Sequence, residues 1–307
     1  MFISSSEVSS RISMDQAIMA VEGVIARLGR GHVGAPVSLG VAVDRGTFHV
    51  KACAAANPGA ANLFVAKVNA NFPGNPAAGR PTIQGLITVF DAQNGEIRAI
   101  VDSPSITSLR TAATTGMVIR HLAPLNAQVA TVIGCGALGR YHVAALKACG
   151  IGHVYLFDTD FARASAAVAW AEESLSMACD ATENLRRATL QSQIVITCTP
   201  STQPFLGVAD VRPGTLIAAV GADNECKAEI ESALLDEARI VTDLTTQCLK
   251  YGDLRRAPLK AVSGELTDVV ADRVARTAPN EIVIFDSTGL AVQDLALCEL
   301  LVSTASI

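Results

Sequence analysis

The sequence predicts an α/β fold that combines a Rossmann-type, doubly wound parallel sheet with an α+β N-terminal domain. Strand and helix patterns alternate through residues 109–288, which is typical of a parallel sheet with helices on both faces. Residues 1–108 contain instead short apolar runs bounded by turn sequences. At 307 residues, the chain is also longer than one domain of ordinary size. We therefore expect two domains, with a C-terminal helix at 289–307 returning to the first.

The N-terminal domain is expected to start with a helix and to continue as a sheet. Ser13 and Gln16 have the spacing of a capping box, and an apolar stripe at helical spacing follows them. Apolar runs after this helix predict strands, and Asn57-Pro58-Gly59 and Ala92-Gln93-Asn94-Gly95 predict turns, the latter within a hairpin. The predicted strands span 36–43, 63–68 and 86–90.

The second domain is expected to begin with a helix that runs from about Ser108 through Leu122. Six strands follow, separated by helical stretches, and parallel sheets of this kind bind ligands at the carboxyl ends of their strands. The strands are predicted at Val129 to Ile133, His153 to Phe157, Ile194 to Cys198, Leu216 to Val220, Ile240 to Thr242 and Ile282 to Phe285.

A glycine turn directly follows the first of these six strands and precedes a helix that begins near Ala137. Gly134 would allow the tight turn, Gly136 would let the backbone approach a ligand, and Gly139 would let the helix close on the strand. The backbone N–H groups of such a turn and the helix N-terminus favour an anion. A dinucleotide pyrophosphate is the ligand that this context predicts.

The next strand ends at Asp158, which follows Gly134 at about the distance of a carboxylate that binds ribose hydroxyls. A carboxylate there repels a 2′-phosphate, so we expect NAD rather than NADP. Two alternatives stay open: Arg163 keeps NADP possible, and Asp158 could simply cap the following helix. Thr199, at the end of a later strand, is expected beside the cofactor or as an ordinary loop residue.

Composition excludes several other classes of protein. The formal net charge is −5 and the basic residues form no cluster, so we expect no nucleic-acid partner. The N-terminus has no leader pattern and no apolar run has membrane-spanning length, which favours a cytoplasmic protein. Eight cysteines without a C-x-x-C pair are expected as mostly buried thiols. Five histidines without H-x-x-x-H spacing predict no metal site.

Six sequence landmarks occur in a fixed order along most of the chain. Together they resemble the ornithine cyclodeaminase and mu-crystallin family, which also contains an alanine dehydrogenase and ketimine reductases. The landmarks are Pro81-Thr82-Ile83-Gln84-Gly85, Thr107-Ser108-Leu109-Arg110-Thr111-Ala112-Ala113, the glycine turn, Val220-Gly221-Ala222-Asp223, Lys227, and Phe285-Asp286-Ser287-Thr288-Gly289-Leu290.

The resemblance implies a homodimer whose N-terminal domain supplies the substrate pocket and the dimer interface, and whose second domain binds NAD. It implies that Lys67 and Arg110 contact a substrate carboxylate, that Thr82 and Arg110 approach the nicotinamide, and that Thr288 faces the substrate. It also implies a set of residues that line the cofactor. These are Ala137, Leu138, Asp158, Thr199, Val220, Gly221, Ala222, Asp223, Lys227 and Ser287.

The chemistry of three of these residues agrees with such roles but also allows structural ones. Lys67 is a charge in an apolar run, which suits either an anionic ligand or a lysine on an edge strand. Arg110 offers a planar fork for a carboxylate or for a structural ion pair. Asp223 follows a strand and could exchange a proton with an amine, or could cap a helix beside Lys227. We expect Asp223 and Lys67 to be catalytic.

One position departs from the family pattern. Where the family usually has Pro-x-Arg, this chain has Pro36-Val37-Ser38, so a second arginine of the carboxylate clamp is replaced by serine. This change puts ornithine specificity in doubt. Lys51, in an apolar stretch on the expected next strand, could supply the missing charge.

These observations support three hypotheses of function. The leading one is an NAD-dependent ornithine cyclodeaminase-like enzyme that converts a basic amino acid into a cyclic amino acid and ammonia. The second is a cyclic ketimine reductase or an alanine-type amino-acid dehydrogenase, which would show a net change in NADH. The third is a nucleotide-bound, crystallin-like protein without turnover.

Overall fold

The computed structural model describes residues 1–55, 62–257 and 262–303, so the predicted turn at Asn57-Pro58-Gly59 and the last four residues of the predicted C-terminal helix lie outside the described residues. The chain divides into two compact units. The first consists of Met1–Arg110 and Leu290–Ile307, and the second of Thr111–Gly289. The transitions lie within two residues of the boundaries predicted at 108 and 288.

The first unit contains a six-stranded sheet. Its strands are β1 (Phe2–Ile3), β2 (Val37–Val43), β3 (Gly46–Ala54), β4 (Leu63–Asn71), β5 (Ile83–Asp91) and β6 (Ile97–Asp102). Their order is β1-β6-β5-β4-β3-β2, in which β1 runs parallel to β6 and every other pair is antiparallel. Strand β2 is therefore an edge of the sheet, whereas β4 lies between two neighbours.

Three helices pack within this unit, and a fourth begins in it. They are α1 (Ser5–Arg11), α2 (Met14–Gly29), α10 (Ala291–Ser303) and, continuing into the second unit, α3 (Ser103–Leu122). The capping box of α2 is confirmed, because Ser13 and Gln16 bond to each other's backbone N–H groups. A second capping box, between Ser4 and Glu7, starts α1, which the sequence analysis missed.

The C-terminal helix α10 packs against α2, β3 and β4, as its apolar sequence predicts. Arg27 of α2 and Glu299 of α10 form a bidentate ion pair at the rim of this contact. The predicted hairpin is also confirmed: β5 and β6 are antiparallel, and Gly95 has the positive φ of 78° that the turn requires.

The second unit contains an eight-stranded, wholly parallel sheet. Its strands are β7 (Val129–Ile133), β8 (His153–Phe157), β9 (Cys179–Ala181), β10 (Ile194–Thr197), β11 (Leu216–Ala219), β12 (Arg239–Thr242), β13 (Val262–Glu265) and β14 (Val283–Asp286). The order is β13-β12-β14-β11-β10-β7-β8-β9. The predicted fold class is confirmed, and all six predicted strands occur within one residue of their expected positions at each end.

Helices connect these strands. They are α4 (Ala137–Ala148), α5 (Phe161–Leu175), α6 (Leu185–Gln191), α7 (Ser232–Glu237), α8 (Thr245–Tyr251) and α9 (Leu266–Val270). The central strands are buried on both faces, as the continuous apolar runs indicate. Sequence analysis missed the two edge strands, β9 and β13, because each is short and carries polar residues. No helix in the described part of the chain is both long and apolar enough to cross a bilayer.

Candidate active site

The glycine turn of the second unit connects β7 to α4. Gly134 has a φ of +103°, and its N–H donates to the Phe157 carbonyl oxygen at 2.8 Å. A Cβ atom on Gly139 would overlap the Gly134 carbonyl oxygen, whereas a Cβ atom on Gly136 would enter open space. Gly136 is the N-cap of α4 and supplies no side-chain hydrogen bond. The first N–H groups of α4, at Ala137 and Leu138, therefore lack a side-chain cap, as an anion-binding turn requires.

Asp158 connects the end of β8 to this turn. Its carboxylate accepts hydrogen bonds from the backbone N–H of Cys135, at 2.8 Å, and of Asp160, at 3.0 Å. Asp160, not Asp158, is the N-cap of α5, because it accepts from the N–H of Ala162 at 3.1 Å. The alternative role of Asp158 as a helix cap is therefore wrong.

A pocket of about 450 Å³ opens beside the turn and lies wholly within the second unit. It is lined by Ile133, Gly134, Phe157, Asp158, Thr159, Arg163, Leu185, Thr199, Pro200, Ser201 and Phe205. Apolar side chains thus flank a single carboxylate at the end of a strand. This combination fits the adenosine part of a dinucleotide, with a flat base between apolar walls and ribose hydroxyls at the carboxylate.

The loops that follow β10 and β11 carry the next group of predicted cofactor residues. The N–H and hydroxyl of Thr199 both donate to Glu229, as does the N–H of Gly221. Val220 and Ala222 are buried on either side of Gly221. Glu229 was not among the predicted site residues, although it holds two of them.

Asp223 and Lys227 form an ion pair with 2.8 Å between the carboxylate and the ammonium. The carboxylate is about half exposed, and no helix starts at this position, so the alternative that Asp223 caps a helix is wrong. The neighbouring Lys227, which belongs to the same structural alternative, does pair with Asp223.

Ser287 and Thr288 lie just after β14, where the buried carboxylate of Asp243 fixes both. It accepts from the Ser287 hydroxyl at 2.9 Å and from the Thr288 N–H at 2.8 Å. The Thr288 hydroxyl also accepts from the Gln247 side chain at 2.6 Å. Asp243 was missed, although it follows the end of a parallel strand as Asp158 does.

In the first unit, two predicted substrate residues belong to one buried cluster. The Lys67 ammonium lies 2.9 and 2.7 Å from the two carboxylate oxygens of Asp294. Arg110 donates to the Gln293 side chain at 2.7 Å, and its Nε lies 3.7 Å from Asp294. Among the described residues of this unit, the buried charged side chains are Lys67, Arg110 and Asp294. The cluster therefore combines two buried cations with one buried carboxylate.

Burial, together with the cations of Arg110 and Lys51, lowers the pKa of Lys67 to about 8 against the opposing effect of Asp294. Lys67 is 4% exposed and lies on a strand with two neighbours, so the alternative of a lysine on an edge strand is wrong. Asp294 was missed, yet like Lys67 it is a charge within an apolar element, α10, whose other charged residue is Glu299.

Ser38, Lys51 and Lys67 lie directly opposite one another on β2, β3 and β4. Residues paired in this way share one face of a sheet, so the half-buried Lys51 stands between the position of the replaced arginine and the cluster. Two like charges directly opposite each other are unfavourable unless an anion lies nearby. This register agrees with the expectation that Lys51 replaces a charge missing at Ser38.

Thr82, the remaining predicted residue, lies at a bend just before β5, where its carbonyl oxygen accepts from the N–H of Phe72 at 2.8 Å. It and Arg110 belong to the first unit. Their approach to the nicotinamide stays a prediction.

Comparison with known proteins agrees with this geometry. The family model described as the ornithine cyclodeaminase/mu-crystallin family matches residues 1–306. The chain belongs to this family. The predicted resemblance is thereby confirmed over nearly the whole length of the chain.

Relatives of this family member are enzymes of amino- and imino-acid chemistry. It is 32% identical to an alanine dehydrogenase of Archaeoglobus fulgidus, over 99% of this chain and 95% of the relative. It is 30% identical to an iminosuccinate reductase of Paracoccus denitrificans, over 78% of this chain and 76% of the relative. A solved structure of an archaeal alanine dehydrogenase dimer with bound NAD superimposes with a TM-score of 0.92 at 29% identity, over 99% of this chain and 95% of the other.

Proposed function

We propose that this family member is an NAD-dependent oxidoreductase that interconverts a small amino acid and the corresponding imino acid. The observation that carries the proposal is the buried cluster of Lys67, Arg110 and Asp294. Relatives at 30% identity or more include an alanine dehydrogenase and an iminosuccinate reductase, which supports the same chemistry. This proposal reverses the order of the first two hypotheses drawn from the sequence.

The charge of the cluster is the reason for that reversal. Two buried cations face one buried carboxylate, and Lys51 lies opposite Lys67 on the next strand. A substrate carboxylate would pair with these cations, since buried charge is stabilised by an opposite charge. Ornithine or lysine would also bring a distal ammonium, and among the described residues the cluster contains no second buried carboxylate for it.

The second unit supports NAD as the cofactor. The uncapped start of α4 suits a pyrophosphate, and the carboxylate of Asp158 in the pocket suits ribose hydroxyls and disfavours a 2′-phosphate. Arg163 lines the same pocket and remains the feature that would favour NADP. When bound, the nicotinamide would supply the hydride acceptor for the amino acid or the hydride donor for the imino acid.

The roles of the protein's own residues follow from their chemistry. Lys67 and Arg110 would bind and orient the substrate carboxylate, with Lys51 as an additional cation, so that the α-carbon is presented in one orientation. Asp223 would accept a proton from the amine in the oxidative direction and return it to nitrogen in the reductive direction. Its ion pair with Lys227, at 2.8 Å, would fix the position of the carboxylate. Thr288, held by Asp243 and Gln247, would contact the substrate as a neutral hydrogen-bonding group.

Cyclodeamination of a basic amino acid is the second candidate. Asp223 favours it, because this route also needs a base for the α-amine and then a group that assists attack by the terminal amine. The family includes ornithine cyclodeaminases by name. The two candidates differ in net redox change, which an assay can measure directly.

A homodimer is part of the proposal. The outer face of the first unit's sheet exposes an apolar patch that consists of Val37, Leu39, Val41, Val43, Phe48, Val68 and Leu86. Exposed patches of this kind are typical of protein interfaces. Leu39, Val68 and Leu86 lie in one cross-strand row, so the patch is continuous across β2 to β5. The related archaeal alanine dehydrogenase is a dimer, and we propose a second copy of this chain as the partner here.

An assay of purified protein tests the proposed reaction. NADH is mixed with ammonia and either pyruvate or oxaloacetate, or with a cyclic imino acid, and NAD is mixed separately with alanine, ornithine or lysine. Steady NADH oxidation with the imino acids, and NAD reduction with the amino acid, are the expected results.

Proline or pipecolate formed with ammonia, and without net NADH change, would contradict the oxidoreductase and establish cyclodeamination. Binding of NADH without turnover of any substrate would favour the non-catalytic hypothesis. Arg110→Lys, which keeps the charge but loses the planar fork, is the matched variant. It should raise KM for the carboxylate substrate.

A further inference from the structure

Three fully buried carboxylates lie behind the strand-end loops of the second unit, and none of them has a role in the reaction described above. They are Glu229, Asp253 and Asp286. Buried carboxylates are costly, so each needs hydrogen-bond donors. The donors here are chiefly backbone N–H groups of the loops that follow the parallel strands, where ligands of such sheets bind.

Glu229 connects the ends of β10 and β11. One carboxylate oxygen accepts from the N–H and the hydroxyl of Thr199, both at 2.7 Å. The other oxygen accepts from the Thr197 hydroxyl at 2.7 Å and from the Gly221 N–H at 2.8 Å. A Cβ atom on Gly221 would overlap this carboxylate, which explains why glycine occupies that position.

The other two carboxylates extend this connection to the end of β14. Asp253 accepts from the N–H of Glu229 at 3.0 Å, and Asp286 accepts from the N–H of Leu254 at 2.8 Å. Asp286 thus fixes the segment that carries Asp253, and Asp253 fixes the segment that carries Glu229. Three strand ends, at β10, β11 and β14, are joined through a single chain of charged hydrogen bonds.

We propose that Glu229 is a positioning residue that holds the loops at Thr199 and Gly221 in the conformation that binds the dinucleotide. The inference rests on the proposed nucleotide site, because Thr199 lines the 450 Å³ pocket that contains Asp158. Glu229 acts through Thr199 and Gly221, and the four hydrogen bonds to it need both oxygens as acceptors.

Because four donors bind both oxygens of the carboxylate, this function depends on Glu229 being ionised. Burial and the Asp253 carboxylate raise its pKa to about 7, against the hydrogen bonds from Thr199 and Thr197, which lower it. The Cys198 thiol also faces Glu229, and burial raises its pKa well above the usual range, so it stays neutral. Arg255 and Arg256 act on Asp253, where they lower its pKa against the effect of burial.

The direction of the pH effect follows from hydrogen-bond valence. A protonated carboxyl has a hydrogen on one oxygen, which displaces one of the four donors. The loops are then held by fewer bonds, so NADH affinity should fall as pH falls through the pKa of Glu229. If binding requires the ionised form, the dissociation constant should rise roughly tenfold between about pH 8 and about pH 6.

The test measures NADH binding by fluorescence titration across this pH range, with melting temperature as a second readout. Glu229→Gln places an amide NH₂ against two of the donors. It should weaken NADH binding by on the order of tenfold at the higher pH and should remove the pH dependence. Thr197→Val removes one donor that lowers the pKa, and so should move the midpoint of the wild-type profile upward.

Ser192→Ala is the matched control. Ser192 is buried and bonds to Thr131 and to the Ala188 carbonyl oxygen at the opposite ends of the strands, so its loss should lower the melting temperature and leave the pH profile unchanged. Absence of NADH binding by the wild type would contradict the nucleotide site itself. NADH binding with the same profile in wild type and Glu229→Gln would contradict only the positioning role. Should Glu229→Gln fail to fold, an unmoved midpoint in Thr197→Val would overturn the proposal.

Discussion

At the scale of single residues, the informative signal is a charge in an apolar element. Lys67 in β4 and Asp294 in α10 are such residues, and in the folded chain they form a buried ion pair. Removing one member of a buried pair leaves the other uncompensated, which typically costs about 3 to 5 kcal/mol. Arg110, with its own contact to Asp294, adds a second buried cation to the cluster.

Lys67 should produce an alkaline limb in the rate profile. Its pKa of about 8 means that the ammonium is present below that pH and is lost as pH rises through it. Because the charged form binds the carboxylate, kcat/KM for the imino acid at saturating NADH should fall above about pH 8. Lys67→Met should lower kcat/KM throughout and lack this limb. An identical limb in Lys67→Met would assign the titration to another group.

Lys51 is expected to contribute to substrate affinity in place of the arginine absent at Ser38. Lys51→Met should raise KM for the carboxylate substrate by roughly tenfold, as expected for loss of one charge-assisted contact. Ser38→Arg in the same background should restore part of the affinity, because the two positions are directly opposed on the sheet. Unchanged KM in Lys51→Met, measured by steady-state kinetics, would remove this residue from the site.

Asp158 should set the preference between the two dinucleotides. Asp158→Ser removes the charge that repels a 2′-phosphate and should reduce the ratio of NADH to NADPH affinity by about tenfold or more. The matched control is Asp160→Ser, which removes a nearby carboxylate while keeping an N-cap residue on α5. Fluorescence titration with both nucleotides gives the ratio. A ratio that changes equally in both variants would indicate a general charge effect.

At the scale of elements, the connection between β7 and α4 separates two kinds of glycine. Gly139 is required by packing, since a Cβ atom would overlap the Gly134 carbonyl oxygen, whereas Gly136 faces open space. A substitution in this turn can therefore either destabilise the fold by crowding or weaken only the binding of a ligand.

Substitution of these two glycines by alanine should therefore have different effects. Gly139→Ala should destabilise the protein by about 1 to 3 kcal/mol through overpacking, visible as a lower midpoint of denaturant unfolding. Gly136→Ala should leave that midpoint nearly unchanged but weaken NADH binding, because its methyl group would enter the space where the backbone approaches a pyrophosphate. Equal unfolding midpoints for the two variants would contradict the packing role of Gly139.

At the scale of the whole molecule, the main open surface of the first unit is the sheet face that carries the apolar patch. Strand β2 is exposed along its entire length although its alternate residues are valine and leucine. An exposed apolar edge strand is an aggregation hazard in a monomer. Coverage by a second copy, as proposed, would remove that hazard.

Leu39→Glu should convert the dimer into a monomer. Leu39 is 57% exposed in one chain, so a carboxylate there costs little in the folded protomer but would be buried in the interface. Multi-angle light scattering on a size-exclusion column would report the mass. Met19→Glu, at an equally exposed apolar position on α2, is the control and should keep the dimer mass. A dimer that survives Leu39→Glu places the interface elsewhere.

The sequence by itself determined the fold class, the central strands, the glycine turn and the family. Those features depend on local patterns: continuous apolar runs for buried parallel strands, glycines at positions that exclude a Cβ atom, and capping residues at helix starts. Short edge strands such as β9, and the first helix α1, were missed because each contains too few residues to establish a periodicity.

Only the tertiary structure decided which charges meet. Lys67 and Asp294 are 227 residues apart in the chain, and the four donors to Glu229 come from β10 and from two separate loops. No local pattern encodes such pairings, because partners of a buried charge are brought together by strand order and helix packing. For the same reason, the sequence left two roles open for Asp158 and for Lys67. The positions of neighbouring residues showed that Asp158 does not cap a helix and that Lys67 does not lie on an edge strand.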